Sequence, residues 1–232
     1  MCGDIEANPG PYNFFSAYHL NVRSIVNKID DLIPETEGFD IIGFTETHLD
    51  STIENDELAI PNYCEPIRRD RNRHGGGIAV YVRHGIAFKR RKDLESNEIE
   101  SVCIEILKQP CPILCTLLYK PPNEPSESWI TLKEYLEDLI SDPVFKHIIM
   151  GDLNCNMLID KPTPKLKTII ESLNLVQHIT QPTRTTNTSN TLIDIIITNI
   201  EDNVKQAGTF PQKYSDHKGT FIKFNWQQKE TP

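Results

Sequence analysis

The chain is predicted to fold as a single layered α/β domain. Short apolar runs suited to buried strands recur along its 232 residues, three longer stretches carry apolar residues at helical spacing, and no repeat or low-complexity linker divides it.

Residues 1–13 contain Gly and Pro without periodicity and read as a tail, as do residues 227–232. Residues 16–22 form a strand that leads into a helix over 24–35, where Ile25, Ile29, Leu32 and Ile33 share a face and Ser24 is placed to cap it. Residues 39–45 are a buried strand ending at Glu46. A polar loop over 68–77 closes on three glycines and feeds the strand Ile78–Val82. Further strands are expected at 100–107 and Ile113–Tyr119. Pro121, Pro122 and Pro125 break the pattern before a helix over 128–140, with Leu132, Leu136 and Leu139 as its buried stripe. A strand at 147–150 follows, then a helix started by Thr163–Pro164 whose apolar face is Leu166, Ile169, Ile170 and Leu173. The polar stretch 181–190 reads as loop, and 192–198 and 219–224 as the last strands.

Composition bounds the function. Hydrophobic residues make up 38% and charged ones 25%, an ordinary globular balance, and no apolar run is long enough to cross a bilayer. No secretory layout precedes the six cysteines, and none has zinc-ligand spacing with a histidine, so reduced thiols in an intracellular, nuclear or cytoplasmic setting are expected. A net charge of −9 weighs against a nucleic-acid partner, but the basic residues cluster at Arg68, Arg69, Arg71 and Arg73 and at Lys89, Arg90, Arg91 and Lys92. Each cluster reads either as solvated loop or as DNA contact.

Four places put a carboxylate or amide at the end of an apolar strand: Asn21, Glu46, Asp152 with Asn154, and Asp216 with His217. Loops at strand ends are where a rigid scaffold presents catalytic groups, and these oxygens are the hard ligands Mg²⁺ prefers. Singly they say little. Their order is more specific: His-Leu-Asn-Val-Arg at 19–23, Thr-Glu-Thr-His at 45–48, Leu-Tyr-Lys-Pro-Pro-Asn at 118–123, Gly-Asp-Leu-Asn at 151–154, Leu-Ile-Asp at 192–194 and Ser-Asp-His at 215–217.

That series, spanning residues 14–226, resembles the endonuclease/exonuclease/phosphatase superfamily. The resemblance implies a four-layer α/β sandwich, two mixed β-sheets packed face to face with helices outside. It implies Mg²⁺, with Mn²⁺ as the alternative, held by Glu46 as principal ligand with Asn21 and Asp216. Asp152 and Asn154 would position or activate the attacking water, Asp194 would orient His217 against the scissile phosphate, and Tyr119 would bond a phosphate oxygen. Whether Asp152 or His217 takes the proton from water stays open, with Asp152 the preferred base. Asn123, Arg184, Thr185, Ser215 and His48 complete the expected substrate contacts; Asn123 reads equally as a turn residue and His48 as a support or surface group. Asp194 reads alternatively as an inward strand residue satisfied by backbone.

Peripheral segments choose the branch. Arg69-Asp-Arg followed by Gly75-Gly-Gly-Ile-Ala-Val-Tyr-Val, and Gln181-Pro-Thr-Arg followed by Thr191-Leu-Ile-Asp-Ile-Ile-Ile-Thr-Asn, resemble the endonucleases of LINE-type (non-LTR) retrotransposons. Gly3-Asp-Ile-Glu-Ala-Asn-Pro-Gly-Pro11 is similar to the ending of a 2A ribosome-skipping peptide, without its usual upstream helix. The expectation is an endonuclease that nicks double-stranded DNA through the minor groove, leaves a 3′-hydroxyl for reverse transcription of element RNA, and precedes a reverse transcriptase domain. An abasic-site repair endonuclease and an inactive DNA-binding relic are the alternatives.

Overall fold

In the computed structural model, which describes residues 14–107, 111–200 and 203–225, the apolar runs become the inner strands of two sheets. The chain begins with β1 (Phe14–Asn21), α1 (Ile29–Thr36), β2 (Ile41–Thr45), β3 (Ile67–Arg69) and β4 (Ile78–Val82). It continues with β5 (Phe88–Arg90), β6 (Glu100–Ile106), β7 (Ile113–Tyr119), α2 (Ser128–Leu139) and β8 (Lys146–Asp152). Then come α3 (Lys165–Ser172), β9 (Val176–Gln177), the two-strand hairpin β10 (Arg184–Thr185) and β11 (Asn190–Thr191), and β12 (Asp194–Thr198). β13 (Val204–Phe210) and β14 (Gly219–Asn225) end the described fold.

One sheet has the order β13-β14-β1-β2-β4-β3 and the other β5-β6-β7-β8-β12-β9. Both are mixed: β1 and β2 run parallel, as do β7 and β8, and their other pairings are antiparallel. The sheets pack face to face, β1 and β2 against β8, and β4 against β6 and β7. The two-residue period of the strands sorts the core. Ile78, Val80 and Val82 of β4 point between the sheets, while Ala79 and Tyr81 point outward with Tyr18, Leu20, Ile42 and Phe44 to meet Leu32 of α1. Leu132 and Leu136 of α2 and Leu166 and Ile169 of α3 join the cluster built on the second sheet. This is the expected α/β sandwich of two mixed sheets with helices outside. At Gly43 the sheets approach so closely that an added Cβ would lie 2.2 Å from Leu117 Cδ2. No described helix is long and apolar enough to cross a membrane.

Four expectations change. The first helix starts at Ile29, not Ser24, because Arg23 and Ser24 adopt left-handed backbone at φ 45° and 76° and Ser24 N–H donates to Glu46 O at 2.8 Å. Lys28 then locks that loop by donating Nζ to Val22 O at 2.6 Å and Arg23 O at 3.0 Å. The polar loop over 68–77 opens with strand β3, which pairs with β4. The stretch 181–190 is not plain loop but contains the hairpin β10–β11. β5, β9 and β13 were not foreseen: β5 and β9 are sheet-edge strands of two or three residues, and β13 is the polar, half-exposed edge of its sheet.

Most side chains of the basic clusters are engaged in ion pairs or backbone hydrogen bonds. Arg68 binds Asp70 and Ile53 O, Arg69 donates to Ser96 O and Ile99 O, and Arg71 pairs with Glu100. Lys89 and Arg91 share Glu105, and Arg90 pairs with Glu95. These side chains tie β3 and β5 to their neighbours, whereas Lys92 is exposed. The five described cysteines are all unpaired. Cys2, the 2A-like segment and both expected tails lie outside the described residues.

Candidate active site

The candidate residues meet because parallel pairing brings strand ends to the same edge. Asn21 and Thr45 are register partners at the ends of β1 and β2, so Glu46 follows immediately beside Asn21. Tyr119 and Asp152 are partners at the ends of β7 and β8, and Asp194 opens β12 directly opposite Asp152. Face-to-face packing then places the first sheet's Asn21 2.8 Å from the second sheet's Asp152, Nδ2 donating to Oδ2. The backbone at this edge is bent into rarely populated conformations: Arg23, Ser24, Glu46, His48, Asn123 and Asn154 all have positive φ. Such strain persists only where surrounding contacts hold it, and it concentrates at functional sites.

Asp152, Asp194 and His217 form the centre, with ligand-capable atoms within 4.8 Å of one another and all three residues buried. His217 Nδ1 lies 2.9 Å from Asp194 Oδ2, which fixes the ring tautomer and leaves Nε2 for substrate. Oδ2 of Asp194 is therefore bonded to the imidazole, not to backbone. Burial works against charge on His217, but Asp194, its hydrogen bond, and then Asp152 and Asp216 raise its pKa. Burial and then the Asp194 anion push Asp152 up to about 7, despite the opposing effects of His217, Asn154 N–H and Asn21. Asn154 holds Asp152 Oδ1 through its backbone N–H at 2.9 Å and anchors its own amide on Lys120 O at 2.9 Å.

Glu46 lies to one side. Its Oε1 accepts the Tyr119 hydroxyl at 2.9 Å, and its Oε2 is 3.6 Å from His48 Nε2. Tyr119, expected to bond a phosphate oxygen, donates its hydroxyl to Glu46 here, and burial followed by the Glu46 charge raises its pKa. A divalent cation fits this edge. Glu46 Oε2, Asn21 Oδ1 and Asp152 supply hard oxygens, and the burial that with the Asp194 charge pushes Asp152 toward neutrality would be opposed by a cation at this edge. The Asp152–Asp194–His217 group is less suited to hold the ion itself, because its Nδ1 and Oδ2 are already bonded to each other.

Asp216, expected in the metal shell, is held by two arginines. Arg184 Nε donates to its Oδ2 at 2.8 Å and Arg23 Nη1 to its Oδ1 at 3.1 Å; against partial burial these guanidiniums hold its pKa down to about 2. Arg184, expected to contact substrate, thus sits inside the site, in the combined field of Asp216, Asp152 and Glu46. Ser215 acts as a strut rather than a free contact, donating Oγ to Asn21 O at 2.7 Å and accepting His217 N–H at 3.1 Å. Thr185 is exposed on the hairpin, and Asn123 is exposed at a left-handed turn away from these bonds.

The sequence reading missed three contributors. Thr183 Oγ accepts the N–H groups of Ile193 and Asp194, and Thr183 O accepts Lys218 N–H at 2.6 Å, so the hairpin is fastened to both catalytic segments. Arg23 carried a signal only as part of the Asn-Val-Arg motif. His19, wholly buried between the sheets, bonds Thr45 Oγ1 through Nε2 at 3.0 Å, and burial, only partly offset by Asp194, lowers its pKa to about 4.

Two sheets that present a His–Asp pair, a second buried carboxylate and a Glu at one edge define a phosphoesterase-type site of the hydrolytic α/β sandwiches. Residues 13–217 match the Endonuclease/Exonuclease/phosphatase family, and the chain belongs to it. Among solved structures it is similar to the endonuclease domain of TRAS1, a telomere-specific non-LTR retrotransposon, at 16% identity and TM-score 0.71, covering 92% of this chain and 100% of that one. It is likewise similar to an AP endonuclease from Archaeoglobus fulgidus, at 16% identity and TM-score 0.75 over 91% and 99% of the chains. A mannosyl-6-phosphatase from Bacteroides thetaiotaomicron aligns at 15% identity and TM-score 0.66 over 90% and 98%, so the shared fold does not by itself select a substrate. No curated protein matches the chain.

Proposed function

We propose that the protein is a metal-dependent DNA endonuclease, the endonuclease domain of a LINE-type retrotransposon. It nicks duplex target DNA and leaves the 3′-hydroxyl from which the reverse transcriptase of the same polypeptide copies element RNA in the nucleus. The observation that carries hydrolysis of a phosphodiester is the buried His217–Asp194 pair at 2.9 Å beside Asp152. The branch is supported by the Gln181–Arg184 and Gly75–Val82 segments and by the likeness to the TRAS1 domain.

Asp152, with a pKa near neutrality, accepts the proton of the attacking water, and Asn21 and Asn154 hold its two oxygens in place. His217, whose protonated form Asp194 favours against the opposing effect of burial, donates from Nε2 to the phosphate as negative charge develops. Glu46 and Asn21 would hold Mg²⁺ or Mn²⁺, whose charge stabilises the leaving oxygen. Arg23, Lys28 and Lys213 line an open concavity of about 380 Å³ that borders Asp216, and this supplies positive charge next to the site despite the net −9. The hairpin tip around Thr186–Ser189, exposed and fastened at its base through Thr183, is suited to reach a groove.

The test is relaxation of supercoiled plasmid with Mg²⁺ or Mn²⁺ by the wild type, Asp152→Ala and His217→Ala. Metal-dependent nicking lost in both variants supports the proposal. No nicking by folded wild type refutes it, and activity confined to abasic duplexes selects the repair-nuclease alternative. Replacing 186–189 should move the cleavage sites and leave nicking intact; an unchanged site pattern removes the hairpin from target choice.

A further inference from the structure

Asp194 holds His217 with Oδ2 only. Its other oxygen, Oδ1, is buried without a hydrogen-bond partner among the described residues, and so is His19 Nδ1; the two atoms face each other at 4.0 Å across the sheet interface. Such a pair of orphaned buried groups, one able to donate and one anionic, is costly when left apart. Tutoring of the tautomer comes from the far side of the ring: His19 Nε2 lies 3.0 Å from the Thr45 hydroxyl. With the hydroxyl donating to Nε2, the ring proton sits on Nδ1 and points at Asp194; the opposite tautomer would turn a lone pair toward a carboxylate. Closing the gap to hydrogen-bond length takes a ring movement of about 1 Å.

We propose that His19 is a positioning residue for the nuclease site, completing a buried chain Thr45–His19–Asp194–His217 in which both oxygens of Asp194 are held by imidazoles. The chain links β2 and β1 of one sheet to β12 of the other and ends at the ring that faces substrate. Its place in the strand explains the residue type. Tyr18 and Leu20 turn outward into the α1 layer, so His19 is forced inward with Ala17 and Asn21, one inward step below the Asn21–Asp152 bond. A purely apolar residue here would fill the space and leave Asp194 with one tether, free to rotate about its Cβ–Cγ bond and take His217 with it.

This rests on the catalytic reading of His217 and Asp194, and the test separates the two. His19→Leu keeps the volume without the donor, and His19→Asn returns an amide N–H close to the position of Nδ1. In plasmid nicking, His19→Leu should lower kcat about 10- to 100-fold with KM unchanged, and His19→Asn should recover most of the loss. In the DNA-free protein, the proton NMR signal of the His217 Nδ1–H bound to Asp194 should stay at low field in the wild type and His19→Asn and should broaden or move upfield in His19→Leu. Equal melting midpoints certify folding, and Thr45→Val tests the same chain from its other end should His19→Leu not fold. A folded His19→Leu that keeps both kcat and the low-field signal overturns the proposal, as does a His19→Asn no better than His19→Leu. Should the wild type fail to nick DNA, the nuclease reading falls while the NMR comparison still decides the role of His19.

Discussion

Replacing Asp194 with asparagine keeps the shape of the residue that holds the catalytic ring and removes its charge. In the wild type its Oδ2 receives the His217 Nδ1 proton at 2.9 Å with both groups buried. A hydrogen bond to a charged partner contributes about 1.5–3 kcal/mol. Losing that from a transition state with a cationic ring lowers kcat about 10- to 150-fold. The pH profile gives a sharper readout. Burial aside, Asp194 is the largest influence on both Asp152 and His217, and it raises both. Asp152 acting as base works above its pKa, so it sets the acid limb; His217 acting as donor works below its own, so it sets the alkaline limb. Asp194→Asn lowers both values, and the whole bell therefore moves to lower pH without narrowing. Initial rates of plasmid nicking across about pH 5–9 measure it. An unshifted bell with kcat within about twofold of wild type, in a variant that melts normally, would refute the assigned roles. A profile with no alkaline limb in the wild type would make His217 the base instead.

Three other outcomes are expected. Because burial and Asp194 raise Asp152 from 3.8 to about 7, its folded form holds the proton more tightly, and its ionisation removes stability as pH rises through that window. In chelator at alkaline pH, Asp152→Asn should thus melt above the wild type while losing activity; a lower midpoint would contradict the raised pKa. Gly43→Ala sets a methyl against Leu117 Cδ2, an overpacking of about 1–3 kcal/mol, and Leu117→Ala should therefore cost less melting temperature in the Gly43→Ala background than in the wild type; equal costs would show that the two sites do not touch. If the Arg23–Lys28–Lys213 concavity binds a DNA phosphate, Lys213→Ala should make the slope of log affinity against log salt shallower by about 0.9, and an unchanged slope removes Lys213 from the contact.

What could be read from the sequence follows from where each element's stabilisation comes from. Ile78–Val82 and Ile113–Tyr119 were legible to the residue because both faces of these inner strands are apolar. β13 was not, since its Lys-Gln-Ala-Gly-Thr stretch carries no pattern and depends on the ladder offered by β14. The start of α1 was misplaced because local propensity at Ser24 gives way to tertiary bonds from Glu46 and Lys28. In the site, Asn21, Glu46, Asp152, Asp194 and His217 stood out as polar groups at ends of apolar runs. The hydrogen-bond partners of Tyr119, Ser215 and Asp216 could not be read, because Glu46, Asn21 O and two arginines come from distant segments. His19 and Thr183 lay inside the quoted motifs but gave no sign of their roles: a polar residue inside or beside an apolar run looks the same whether it serves a buried carboxylate or is merely tolerated.

The route of the chain through the sheets also sets when the enzyme comes into being. Strands β1 to β4 build most of the first sheet, the chain then lays down the second, and only β13 and β14 return to complete the first. Until they do, one long side of β1 has no partner, and His217, which lies on the entry to β14, has not been delivered to Asp194. The site of this domain is therefore incomplete until the final hairpin has been laid down. Products that end before the final hairpin carry Glu46, Asp152 and Asp194 but neither Asp216 nor the His217 ring, so the site exists only once the last pair of strands has closed the first sheet.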